Sequence, residues 1–70
     1  VIEGSLLYND YTERYDLIGA GRLLSLHCGD CFELKKNGKY IPVRIEFGKD
    51  WYLIAGKKHI SDFKGMQARM

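Results

Sequence analysis

Proline occurs once in the seventy residues, as Pro42, and cysteine twice, as Cys28 and Cys31. No apolar run is long enough to cross a bilayer, so a membrane span is not expected. A charged-then-apolar leader is also missing, and with it the expectation of a signal peptide. Two cysteines so close in sequence cannot close a useful loop or build a disulfide scaffold, which makes a cytoplasmic setting the expectation. The formal net charge of +2 is too weak to mark a protein built around a phosphate backbone. No glycine-rich phosphate loop and no second C-x-x-C occurs, and no cofactor is expected.

What the chain does have is aromatic side chains and a strong turn. Five tyrosines, three phenylalanines and one tryptophan are many rings for a chain this short. They offset the poor surface-to-volume ratio of a domain that buries only about 60% of its unfolded surface. The turn is Asn37-Gly38, flanked by alternating apolar and polar residues from Cys31 to Phe47. Both residues tolerate the positive φ of a type I′ turn. A two-residue loop there sets Lys36 against Lys39, Lys35 against Tyr40, Leu34 against Ile41, Glu33 against Pro42 and Phe32 against Val43. A slip of one residue would turn Phe32 and Leu34 to the wrong face, so turn chemistry and side-chain period agree on one register.

The rest of the chain reads as short strands. Ile2 to Tyr8 alternates with Ile2, Gly4, Leu6 and Tyr8 on one side, and Asn9-Asp10 follows as a turn. Arg14 to Ile18 is a second strand with Tyr15 and Leu17 inward and Arg14 and Asp16 outward. Gly19-Ala20-Gly21 breaks the pattern, Arg22 to Leu26 is a brief extended piece, and His27 to Asp30 is a tight turn. Trp51 to Ala55 returns beside the central hairpin. A two- or four-residue loop places Tyr52 against Phe47 and turns Trp51 and Leu53 outward with Tyr40, the arrangement favoured here. A three-residue loop instead pairs Phe47 with Trp51. Gly56 to His59 is a polar link, Ile60 to Gly65 has the size of one helical turn with a glycine exit, and Met66 to Met70 is a last strand.

Residues 1–70 are therefore expected to form one all-β domain: an SH3-like barrel of five or six antiparallel strands, with one short helical turn before the last strand. An OB-type barrel is the competitor, although it is usually longer and carries a proper helix.

Three blocks resemble a known family. They are Leu26-His27-Cys28-Gly29-Asp30-Cys31-Phe32-Glu33, Asn37-Gly38-Lys39-Tyr40-Ile41-Pro42-Val43-Arg44-Ile45-Glu46, and Asp50-Trp51-Tyr52-Leu53. The chain is similar to a family of small uncharacterised domains of Gram-positive bacteria, their plasmids, phages and other mobile elements. The likeness spans nearly the whole chain, is most specific in its middle third, and weakens at Lys57-Lys58-His59. It implies a small cytoplasmic domain and brings no catalytic residue with it.

Three kinds of chemistry compete. His27, Cys28 and Cys31 offer half a zinc site or a redox pair, but a structural zinc wants four ligands and His59 lies far off in sequence. A redox C-x-x-C belongs at the start of a helix, and this one precedes a strand. The plainer reading is a tight turn with one cysteine partly buried. As a nucleophile and base, His27 and Cys28 would point to opposite faces of an extended strand, so no enzyme is expected.

The third candidate is a surface. Tyr40, Arg44, Trp51 and Leu53 would share the outer face, with Lys35, Lys36, Lys39, Lys49, Lys57 and Lys58 around the loop tips. Aromatic platforms rimmed by cations bind single strands of nucleic acid or serve as peptide grooves. The plainer reading has Trp51 closing one barrel end and the lysines solvating loops. The charge is uneven: residues 1–33 carry two cations against six carboxylates, and residues 34–70 nine cations against three. The expectation is a non-catalytic module for a protein partner, with nucleic acid second and a homodimer through an outer strand edge open. Convergence of Lys35, Lys36, Lys39, Lys57 and Lys58 with Trp51 on one face would favour nucleic acid.

Overall fold

A computed structural model describes residues 1–70. Eight strands are present: β1 Glu3–Asn9, β2 Arg14–Gly19, β3 Arg22–Ser25, β4 Cys31–Lys36, β5 Lys39–Phe47, β6 Trp51–Ala55, β7 Lys58–Ile60 and β8 Gln67–Arg69. They form one antiparallel sheet in the order β3-β2-β1-β8-β4-β5-β6-β7. The fold is all-β, as expected, with eight strands where five or six were counted. The sheet is open, because β3 and β7 each pair on one side only. No helix is present, so none is long and apolar enough to cross a membrane.

The central hairpin has the register that the turn dictates, from Cys31 opposite Arg44 to Lys36 opposite Lys39. Asn37 and Gly38 take φ of 53° and 78°, as a type I′ turn requires. A second turn of this kind joins β2 to β3 at Ala20 and Gly21, with φ of 52° and 72°. Alanine at positive φ gives no sequence signal, which is why that hairpin reads only as a break followed by an extended piece. Between β1 and β2 the Asn9 side chain organises the loop. Its Oδ1 accepts from the backbone N–H of Tyr11 at 2.9 Å, and its Nδ2 donates to Asp16 Oδ2 at 3.0 Å.

The helical turn expected over Ile60 to Gly65 is absent. Ser61 to Phe63 form neither helix nor strand, and a tight turn follows, where Met66 N–H donates to the Phe63 carbonyl at 3.0 Å. Gly65, at a φ of 81°, closes that turn, so the glycine exit is real but serves a β-turn. Phe63 from this segment is buried in the core. The last strand then inserts between β1 and β4, setting Ala68 opposite both Gly4 and Leu34. Ile2 and Met70 continue the pairing with reciprocal backbone bonds of 2.8 and 2.9 Å.

The core gathers Leu6 and Leu17 from the first strands, Phe32, Leu34, Val43 and Ile45 from the central hairpin, Trp51 and Leu53 from β6, and Leu26, Phe63 and Ala68. Alternation places the strand residues among these on one face of the sheet, which must coil for both halves to share them, and Leu26 and Phe63 join them from the links. β1 and β2 approach closely at two glycines. A Cβ on Gly4 would lie 2.7 Å from the Gly19 Cα, and one on Gly19 would lie 2.9 Å from the Gly4 Cα. One expectation on β2 needs correction: Asp16 points away from this core yet is only 2% exposed, and its Oδ1 has no hydrogen-bond partner.

Candidate functional site

The loop between β5 and β6 is Gly48-Lys49-Asp50, and three residues bring Phe47 opposite Trp51. The favoured outward placement of Trp51 and Leu53 is thereby corrected. Leu53 is fully buried opposite Ile45, and Trp51 is 9% exposed with its Nε1 donating to the Glu13 carbonyl at 3.0 Å. The physical reason is the burial of Trp51. A three-residue loop, braced by the Gly48 N–H on the Asp50 carbonyl at 3.0 Å and by Asp50 Oδ1 on the adjacent Trp51 N–H at 2.8 Å, turns the indole inward. Tyr52 and Ile54 take the outer positions instead.

Tyr40 and Arg44 do lie outside, but both are engaged. The Tyr40 hydroxyl donates to Glu3 Oε2 at 2.5 Å, and the Arg69 guanidinium stacks over the Tyr40 ring at 4.0 Å. Arg69 Nε in turn donates to Glu33 Oε1 at 2.8 Å. The hydrogen bond to Glu3 is the main reason the Tyr40 phenol is held above its usual range. Arg44 is bound to Glu46 at 2.8 Å. A network this closed, spanning β1, β8, β4 and β5, locks strands together and leaves little for a ligand.

The open chemistry lies at the two ends of the coil. At one end a cleft of about 690 Å³ forms where the β1–β2 loop, the β3–β4 turn and the β5–β6 loop meet. Tyr8, Phe47 and Trp51 supply rings, and Glu13, Asp50, Arg14 and Lys49 supply charges of both signs. Phe47 is half exposed, and its ring leans on Trp51 with centroids 4.9 Å apart. Tyr8 meets Tyr15 edge-on at 5.3 Å, and Tyr15 rests on the buried Phe63 at 4.6 Å, so the rings of the cleft stand on the core. The Tyr8 hydroxyl is pushed above the ordinary phenol range, first by desolvation and then by the carboxylates of Glu13, Asp10 and Asp50. It therefore stays a neutral hydrogen-bond donor at physiological pH.

His27 and Cys28 also line this cleft. The His27 N–H donates to Asp30 Oδ2 at 2.8 Å and Asp30 N–H returns to the His27 carbonyl at 3.0 Å, which makes the tight turn read from the sequence. Both cysteines are free and exposed, a correction to the expected partly buried one, and the Cys31 thiol reaches only the Gly29 carbonyl at 3.7 Å. No three or more His, Cys, Asp or Glu side chains come together as a metal-holding group.

At the opposite end a groove of about 470 Å³ separates the tip of the central hairpin from the β6–β7 turn. Lys36, Lys39 and Lys58 line it. Lys57 lies in the β6–β7 turn itself, Lys35 lies 5.9 Å from the Tyr40 ring on the outer face, and Lys49 lines the aromatic cleft. The lysines thus gather in part, and away from Trp51. At about 3.3 Å per residue, the length of β5 sets the two ends roughly 26 Å apart.

The sequence pattern marks Tyr8 as inward, but nothing in it brings Tyr8, Glu13 and Phe47 together. Only the three-residue loop aims Phe47 at the mouth, and only the fold joins β1 to β5 there.

Fold and cleft together define a small all-β domain with an opening at either end. The chain belongs to the family described as domain of unknown function (DUF5348), whose model matches residues 4–70. This is the kind of family that the sequence resembles. The chain is also similar to a crystal structure of a protein from Ruminococcus gnavus, a structural genomics target. That match has 41% identity and a TM-score of 0.84, and covers 97% of this chain and 99% of the other. None of the curated proteins matches the chain.

Proposed function

We propose that the domain is a non-catalytic interaction module that holds a segment of a protein partner in the aromatic cleft. The observation that carries this reading is the half-exposed Phe47 ring beside Tyr8 and the edge of Trp51, above a floor rooted in the core. Rigid rings with a polar handle make good anchors for peptides. Charges of both signs on the walls suit the mixed polarity of a polypeptide and would repel part of a phosphate backbone. The Trp51 indole is largely covered and its N–H already committed, which weighs against a platform for stacked bases.

The finer architecture belongs to the same proposal. The coiled sheet is read as an SH3-like half-barrel in which both meandering halves wrap one core, without a ladder from β3 to β7. Two exposed free thiols suit a reducing, cytoplasmic setting. The unpaired edges of β3 and β7 are the places where a homodimer would form.

The test is partner recovery from a native extract by the parent and by Phe47→Ala, each with and without nuclease. Phe47 is exposed enough for the variant to keep its fold. The expected outcome is a nuclease-resistant partner that the variant loses, with a cost of about 2 kcal/mol if Phe47 is an anchor. Recovery that vanishes with nuclease would replace this reading with the nucleic-acid alternative.

A further inference from the structure

The groove at the far end from the aromatic cleft has its own chemistry. Its floor is aliphatic, built from Ile41, Pro42, Ala55 and Ile60, and every charged residue lining it is a lysine: Lys36, Lys39 and Lys58. None of the three has a carboxylate within salt-bridge distance, whereas Arg44 and Arg69 are both paired. The groove exists because the two hairpins part company. β6 pairs with β5 only from Arg44 to Phe47, so Lys39 to Val43 of β5 has no ladder partner on that side. Pro42 falls within this stretch and adds no unpaired donor there. β7, which contributes Lys58 and Ile60, is a terminal strand whose backbone pairs with β6 alone.

We infer that this groove binds an extended acidic segment of a protein, one that alternates carboxylates with aliphatic side chains. The carboxylates match the lysine rim, and the aliphatic side chains match a floor with no polar demand. Alternation is what an extended chain presents when one face meets the floor. Unpaired backbone along the first half of β5 can take up main-chain hydrogen bonds from such a strand. A nucleic acid fits less well, because the groove has no ring on which a base could stack.

The probe is a fluorescein-labelled peptide of about ten residues alternating glutamate with valine, long enough to run the length of the groove. Its lysine-for-glutamate counterpart and a labelled single-stranded oligothymidylate serve as comparisons, all titrated into the intact domain by fluorescence polarisation. The acidic peptide is expected to bind, and the double charge reversal Lys39→Glu with Lys58→Glu is expected to weaken it by about tenfold or more. Lys49→Glu, in the other cleft, should leave the affinity within about twofold, and melting midpoints should report that all variants fold. Amide exchange at Tyr40, whose N–H faces the unpaired side of β5, should slow on binding. The inference is overturned if the lysine peptide binds equally well, if the double reversal leaves the affinity intact, or if oligothymidylate binds more tightly than the acidic peptide. Concentration-dependent dimerisation of the free domain that the double reversal abolishes would also overturn it, since a second copy would then be the occupant.

Discussion

Replacing Gly4 by alanine should be among the most damaging single-methyl additions this protein can suffer. The new Cβ would lie 2.5 Å from the Ile18 carbonyl carbon and 2.7 Å from the Gly19 Cα, with the Ile18 carbonyl oxygen closer still. All three atoms are backbone, held by the β1–β2 ladder that begins at Ser5 opposite Ile18, so no side chain can swing aside. Overpacking typically costs about 1–3 kcal/mol, and an unyielding neighbour puts this site at about 3 kcal/mol or more. Against a total of about 3.5–10 kcal/mol for a chain of this length, that is a large share. It corresponds to a fall in melting midpoint of about 12 °C or more. Two other glycines calibrate the experiment. A Cβ on Gly48 would meet only Tyr52 Cε1, at an ordinary 3.6 Å, so Gly48→Ala should stay within about 0.5 kcal/mol of the parent. Gly21 has open space but a φ of 72°, and alanine there should cost about 1 kcal/mol. Thermal denaturation followed by circular dichroism gives all three. A Gly4→Ala midpoint within about 2 °C of the parent, or a Gly48→Ala loss as large, would refute the close approach of β1 and β2.

Gly38→Val should cost at least about 1 kcal/mol, because a β-branched residue resists a φ of 78°; equal melting midpoints would contradict the I′ turn. Asn9→Ala removes the cap on the Tyr11 N–H and the partner of buried Asp16, and urea titration should show a loss of about 2 kcal/mol. Desolvation holds the Tyr8 and Tyr15 phenols, and the Glu3 hydrogen bond the Tyr40 phenol, above the ordinary phenol range in the folded protein. A raised phenol favours the native state while protonated, so this stability is full below about pH 10 and is lost as pH rises through the folded values. Tyr40→Phe should therefore flatten the alkaline fall in melting midpoint while lowering the midpoint at neutral pH through loss of the Glu3 bond. Chelator treatment should leave both the spectrum and the midpoint unchanged, since only half a zinc site is present; loss of structure would make His27, Cys28 and Cys31 ligands.

The parts of the fold legible in the sequence are those in which two local signals agree. At Asn37-Gly38 the turn residues and the alternation of Phe32, Leu34, Ile41 and Val43 demand one register, and the structure has it. At Gly48-Lys49-Asp50 only loop length decides the phase of β6. The choice goes with Trp51 turning inward, where its Nε1 donates to the Glu13 carbonyl, a long-range contact that alternation does not encode. Ile60 to Gly65 has the composition of either a helical turn or a β-turn, and the packing of buried Phe63 on Tyr15, distant in sequence, is a contact that composition does not encode. β7 is hidden for another reason: Lys58 and His59 look like loop residues, and their strand exists because Leu53 and Ile54 lie opposite Ile60 and His59. The outward positions of Tyr40 and Arg44 follow from the correct hairpin register. The cleft does not, because it is assembled from loops distant in sequence.

The position of β8 bears on how the chain comes to be folded at all. β1 to β3 form one meander of neighbouring strands and β4 to β7 another, and each can zip up from its own tight turns as it is made. Nothing in the sheet joins the two except Gln67–Arg69, three residues near the very end of these seventy. A ribosome making this stretch must therefore hold two half-sheets with apolar faces uncovered until Ala68 has emerged and slotted between Gly4 and Leu34. During that interval the nascent chain is most exposed to mispairing and to chaperones. Removing Gln67 to Met70 would deprive the sheet of the strand that makes it one.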